Sequence, residues 1–172
     1  GGKFNGAGFT IRGLYYDDLA SGAYGGLFPQ LASAAEIRNV RIDDSYFNGS
    51  AGSYLGAVAG GIKDESTVIV GVRGANIGSG VVFAGAGNVG GVVGQVGVTK
   101  LRLDNSVFTG SITATGTVGG MVGEVVGKLD LKDSISVGTY PIASADNVKI
   151  TKNEDKNTVY TDVAGTVDGI ET

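Results

Sequence analysis

Four short segments of this chain repeat one another at intervals of about thirty residues, which is the sequence signature of a stacked architecture. They read YGGLFPQ from Tyr24, YLGAVAG from Tyr54, VGGVVGQ from Val89 and VGGMVGE from Val118, with starts 30, 35 and 29 residues apart. Each begins with an apolar or aromatic residue, has glycine third and an apolar residue fifth. A second series runs between them. IRGLYYDD at Ile11–Asp18 aligns with IRNVRIDD at Ile37–Asp44, and VRIDDSYFNGS at Val40–Ser50 with LRLDNSVFTGS at Leu101–Ser111. LDLKDSISVGT at Leu129–Thr139 follows the same outline, and Val68–Ser79 is a weaker copy. About four and a half such units span residues 3–139. One unit is too small to bury its own apolar face, so neighbours must stack to make a core.

Within a unit the apolar residues alternate over short distances. Ile37, Val40 and Ile42 interleave with Arg38 and Arg41, Leu101 and Leu103 flank Arg102, and Leu129 and Leu131 flank Asp130. This is the pattern of strands with one wet face. Asp-Asp, Asp-Asn or Lys-Asp then marks a turn, a short strand follows, and a Gly/Ala/Ser/Thr loop leads into the glycine-apolar strand. Two or three short strands per unit, repeated without helices, predict an all-β parallel β-helix, or β-solenoid. Four or five coils about 4.8 Å apart make a rod about 20–25 Å long. Glycine supports this reading. It makes up 32 of 172 residues, more than twice the usual share of about 7%, which disfavours helices and suits left-handed corners and close backbone approach.

The pattern assigns residues 1–139 to solenoid repeats and 140–172 to a separate segment. There KNEDKN lies between strand-like NVKIT and NTVYTDV, predicting a β-hairpin that caps the open end of the stack, with a linker as the alternative. The opening GGKFNGAG carries no signal-peptide pattern and is what a mature or excised fragment would show.

Several function classes fall away. Gly85-Ala86-Gly87-Asn88-Val89-Gly90 is a literal G-x-G-x-x-G with Asp104 19 positions after Gly85. It is nevertheless one copy of the repeated strand, its sister copies lack the spacing, and glycines 91, 94 and 97 oppose the helix a dinucleotide site needs. Thirteen Lys+Arg against 17 Asp+Glu give a net charge of −4. With no basic cluster evident along the chain, nucleic acid is not an expected partner. Cysteine and histidine are absent, which removes thiol nucleophiles, His-based triads and the usual zinc sets. The uncharged 26 residues from Gly74 to Thr99 hold nine glycines besides Asn76, Ser79, Asn88 and Gln95. They read as buried strands and not as a membrane span.

KFNGAGFTIRGL at the start, GGLF at 25–28 and the two GGxVG copies resemble the GLUG-type repeats of bacterial surface and secreted proteins. The resemblance covers roughly Lys3 to Thr139, with local departures at Tyr54–Gly60 and at Phe28-Pro29. Such repeats occur in large adhesin-like proteins and in non-catalytic N-terminal regions of some Gram-positive immunoglobulin A proteases. The resemblance implies an exported bacterial β-solenoid module, extracellular or on the cell surface, with no catalytic residues to carry over.

Candidate chemistry is sparse. Asp17, Asp18, Asp43, Asp44, Asp104 and Asp133 fall at comparable points of the repeat and would align as a carboxylate stripe. Such a stripe suggests calcium, or the acid–base pair of a polysaccharide-cleaving β-helix. Recurrence favours turn chemistry instead, since Asp and Asn satisfy turn backbones in every unit whereas a catalytic site occurs once. Arg12, Arg38, Arg41 and Arg102 would read an anionic glycan or pair with those aspartates along the stack, and pairing is the default. Tyr15, Tyr16 and Tyr46, with Phe47 beside them, offer a ligand surface of the kind that stacks on sugars, although alternate residues of a strand must point inward. The threonines of Thr109–Val118 do not recur in other units, so an ice-binding plane is not expected.

These readings converge on a non-catalytic structural or adhesive module that needs no cofactor, with a glycan or a host or surface protein as partner. A self-assembling filament subunit joined end to end is the alternative from another class, followed by a fragment of a polysaccharide-active enzyme.

Overall fold

The computed structural model describes residues 2–32, 34–63, 69–97 and 99–139. The expected hairpin cap of 140–172 lies outside the described residues. Among those described there is no helix. The first coil contributes β1 (Lys3–Asn5), β2 (Thr10–Arg12), β3 (Tyr15–Leu19), β4 (Tyr24–Gly25) and β5 (Phe28–Leu31). The second contributes β6 (Glu36–Arg38), β7 (Arg41–Asp43), β8 (Ser45–Gly49), β9 (Tyr54–Gly56) and β10 (Ala59–Ile62). The third runs through β11 (Ile69–Arg73), β12 (Asn76–Ile77), β13 (Val81–Gly85), β14 (Asn88–Gly90) and β15 (Val93–Val96). The fourth holds β16 (Lys100–Asp104), β17 (Val107–Phe108), β18 (Ser111–Ile112), β19 (Val118–Gly119) and β20 (Val122–Val125). A partial fifth begins with β21 (Lys128–Lys132) and β22 (Ile135–Ser136).

Each strand pairs in parallel with its counterpart one coil away, giving five sheets that we number as faces 1 to 5. Face 1 runs β1-β6-β11-β16-β21 and face 2 runs β2-β7-β12-β17-β22. Face 3 holds β3, β8, β13 and β18, face 4 holds β4, β9, β14 and β19, and face 5 holds β5, β10, β15 and β20. The chain is thus a parallel β-solenoid of about four turns. Its coils have five strands instead of two or three, because strands of two or three residues are too short to announce themselves by alternation.

The core is a set of inward columns. On face 1 Phe4 stands in register with Ile37, Val72, Leu103 and Leu131. Tyr16, Phe47 and Phe83 stack down face 3 with ring centroids 5.6 and 4.8 Å apart, and Phe108 leans in from face 2 at 6.3 Å from Phe83. Phe108 is wholly buried, and its ring occupies the space that side chains at Gly91, Gly110 and Gly138 would take. Close packing of rings against bare backbone is one reason the chain spends so many glycines.

The turn from face 1 to face 2 is the most regular corner. Asn39, Gly74, Asn105 and Asp133 stack there with φ of 51°, 67°, 48° and 47°. Only glycine, and to a lesser degree Asn and Asp, accept that left-handed geometry without strain. Behind it Ser106 Oγ accepts the Ala75 N–H at 3.1 Å and donates to the Asp104 carbonyl at 2.9 Å. Ser134 Oγ does the same for the Ser106 N–H at 3.1 Å and the Lys132 carbonyl at 2.8 Å.

Register corrects three of the alignments read from sequence. Ile11 pairs with Ile42, not with Ile37, which belongs opposite Phe4. Ile42 shares a column with Ile77 and Phe108, whereas Leu103 stands below Val72 and Ile37. In the glycine series Leu55, not Tyr54, is opposite Val89. The first two slips equal one face. Successive inward residues such as Ile37, Ile42 and Phe47 are five positions apart, so one face resembles the next almost as well as it resembles its own neighbour in the stack. The match of LDLKDSISVGT to Leu101–Ser111 stands, with Leu129 opposite Leu101. The uncharged stretch from Gly74 forms β12 to β15.

Candidate functional site

The acidic pairs do not form a stripe. Asp17 and Asp18 sit in a bulge of β3, where Tyr16 pairs with Phe47 but Leu19 pairs with Gly49. Asp43 ends β7 and Asp44 turns the corner from face 2 to face 3, with φ of 44°. Asp104 ends β16 on face 1, and Asp133 lies in the corresponding corner one coil further on, after β21. The carboxylates of Asp17, Asp18, Asp43, Asp44 and Asp104 each have a local task. Asp43 Oδ1 accepts the N–H groups of Asp44 at 3.0 Å and Gly80 at 2.9 Å. Asp17 accepts from the Asn48 amide at 3.1 Å, and Asp18 from the Ser50 hydroxyl at 3.1 Å. No group of three or more Asp or Glu able to hold a metal ion occurs among the described residues.

The tyrosines divide by pleat. Tyr16 turns inward onto Phe47, and its hydroxyl donates to the Gly26 carbonyl at 2.8 Å. Tyr15 and Tyr46 point outward on face 3 and stack at 5.5 Å, leaving Tyr15 68% exposed. The neighbouring Asp17 carboxylate is the first cause that raises the Tyr15 pKa above its ordinary 10.0.

The outward side of face 1 is where the structure assembles something not evident along the chain. Its strands KFN, EIR, IVGVR, KLRLD and KLDLK turn alternate apolar residues inward and put mainly charged residues outward, with Ile69 an exposed apolar exception at the start of β11. Outward therefore stand Lys3, Arg38, Arg73, Lys100, Arg102, Lys128 and Lys132, accompanied by the carboxylates Glu36, Asp104 and Asp130. Among the described residues of these strands seven outward cations accompany three acids, an excess of four positive charges on a chain whose total is −4. The expectation of no basic cluster is thereby corrected: the cations are recruited from strands 28 to 35 residues apart and only the fold collects them.

Ion pairs lace this face. Arg38 meets Glu36 at 2.9 Å, Arg73 meets Asp104 at 3.3 Å, and Arg102 meets Asp130 at 3.1 Å. Lys3 also reaches Glu36 and Lys100 also reaches Asp130, at 3.5 and 3.6 Å. Arg12, on face 2, pairs with Asp44 at 3.0 Å. The exposed pairs among these, such as Arg12 with Asp44 and Arg38 with Glu36, contribute about 0.2–1 kcal/mol each, so they orient the guanidinium groups more than they stabilise the fold. In the middle of face 1 lies a notch lined by Glu36, Arg38, Gly71, Arg73, Arg102 and Asp104. Gly71 makes it: in register between Glu36 and Arg102, it has no side chain, and a Cβ there would meet nothing within 4 Å.

Comparison with known proteins finds no matching family model, no matching curated protein and no matching solved structure.

Proposed function

We propose that this chain is a non-catalytic β-solenoid module, a rigid scaffold that presents a binding face on behalf of an exported bacterial protein. One observation carries the reading: the parallel strands stack charged residues of successive coils into a ladder along the outside of face 1, around a filled core. A ladder suits an extended partner that is held along its length. Catalysis asks instead for unlike groups converging on one reacting atom. The likeness of the repeats to GLUG-type surface repeats supports a place outside the cell, with a glycan or a host or surface protein as partner. The test is an array of glycans and extracellular proteins probed with the purified chain, together with protease shaving of intact cells. Retention of a partner without chemical change to it, and cleavage of the module from outside, are the expected results. Turnover of a bound glycan would overturn the non-catalytic reading.

A filament subunit joined end to end is the second reading, favoured by the first coil. Phe9 is 78% exposed there. Phe4, Ile11, Leu14, Tyr16, Leu19, Leu27 and Phe28 are only partly buried at that end of the core. Concentration-dependent sedimentation that is abolished by Phe9→Asp would favour it.

A further inference from the structure

We infer that face 1 binds a linear anionic polysaccharide, with the Gly71 notch as the seat of one acidic sugar. This deepens the scaffold reading above and rests on it.

Three features of the face select the ligand. Its net charge is opposite to that of the chain as a whole, so an acidic ligand is drawn to this face and repelled by the rest of the surface. Every coil contributes one or two cations to the face, so along the stack they recur at about the 4.8 Å spacing of neighbouring strands. A chain of pyranose rings advances by a similar distance per sugar, so a polyuronate lying along the stack keeps step with the rungs, and the carboxylates that its helical twist turns toward the protein meet the cations. Arg38 and Arg73 are adjacent in one outward column, and Arg102 follows Gly71 in the next. The planar fork of arginine matches a carboxylate with two parallel hydrogen bonds. The ion pairs to Glu36, Asp104 and Asp130 hold these forks in place, while the gap at Gly71 lets a sugar ring approach the backbone.

Single-stranded nucleic acid fits less well. Such ligands are held by base stacking on aromatic platforms, and the outward positions of β1, β6, β11, β16 and β21 carry no aromatic residue.

The test uses the full chain in affinity electrophoresis through gels containing polygalacturonate, heparin, neutral dextran or an oligothymidylate. Polygalacturonate is expected to retard the chain and dextran to leave it alone. Gly71→Gln fills the notch without altering charge, and the backbone at Gly71 is not left-handed, so this variant folds at least as stably as the parent. It is expected to weaken binding by about tenfold or more, the value of one lost charge-assisted contact. Arg38→Gln, Arg73→Gln and Arg102→Gln together should do the same or more. Arg12→Gln, Arg41→Gln and Lys63→Gln, which remove equal charge elsewhere, should leave binding nearly unchanged.

Retardation by heparin with the same dependence on Gly71 would support the site with sulfate as its acid group. Oligothymidylate binding as tight as polygalacturonate, or equal losses from the two charge-matched triple variants, would overturn it in favour of diffuse attraction. Absence of binding to every polyanion would overturn the inference too. The scaffold reading would then stand or fall separately, on the array and the intact-cell shaving.

Discussion

Phe108→Ala tests the packing argument most directly. The ring is wholly buried, and Gly91, Gly110 and Gly138 line it with backbone alone. Truncation removes a volume on the order of 100 Å³, and at about 24 cal/mol per Å³ an unrelaxed void of that size costs about 2.4 kcal/mol. Lost transfer free energy adds about 2–3 kcal/mol for a fully buried aromatic side chain. The sum, about 5 kcal/mol, lies at the upper end of measured Phe-to-Ala losses, as expected where the neighbours have no side chains to lean into the hole. For a chain of this size that is a fall in Tm of about 10–20 °C. Urea unfolding followed by far-ultraviolet circular dichroism, read beside a thermal melt, gives both quantities. Tyr16→Ala is the internal control, because Tyr16 ends the same aromatic stack at the half-exposed first coil. A Phe108→Ala loss below about 2 kcal/mol, or one no larger than that of Tyr16→Ala, would refute the claim that the glycines create a rigid seat for the ring.

Three further outcomes follow from the corners and the charges. Asn105→Val forces a β-branched residue into a left-handed corner and should cost about 1–2 kcal/mol, whereas Asn105→Gly should be close to neutral, as measured by chemical denaturation. Tyr15 should titrate above 10.0 in absorbance-monitored alkaline titration, and Asp17→Asn should bring it back down by removing the charge that opposes tyrosinate. The stability Tyr15 contributes is therefore full below its ordinary value and is lost as pH climbs through the raised one. Calcium should leave Tm unchanged, because Asp17 and Asp18, Asp43 and Asp44, and Asp104 lie in three separate places; a rise with calcium would restore the metal reading.

Much of this architecture was legible in the sequence because a solenoid writes its coil length into the chain. The glycine-apolar segments at Tyr24, Tyr54, Val89 and Val118 give the period, and the paired Asp and Asn residues mark sharp bends. What the sequence hid was which face a segment occupies. VRIDDSYFNGS and LRLDNSVFTGS look like equivalents, yet Asp44-Ser45 turns from face 2 to face 3 whereas Asn105-Ser106 turns from face 1 to face 2. The local chemistry of a corner is the same wherever it falls, so similarity alone cannot index it. The basic face was hidden for a different reason. Net charge averages over the chain, and Arg38, Arg73 and Arg102 are neighbours only after folding. Listing the residue that flanks each inward apolar position of KFN, EIR, GVR, KLRLD and KLDLK would have exposed the ladder, provided the register was already known.

That near-equivalence of faces sets a problem for the folding chain. A nascent coil docked one face out of place still satisfies its backbone and still turns apolar residues inward, so hydrogen bonding and hydrophobicity discriminate poorly between right and wrong. Seated that way, the segment from Leu101 would put Phe108 beneath Phe83 on face 3, the position that Ile112 fills in the native stack. Its ring would then lie away from Gly91 in the coil before it, whose missing side chain would leave unfilled space at the true position. The glycines around Phe108 thus act as a proofreading device, making the correct register the one in which the largest side chain and the emptiest wall coincide.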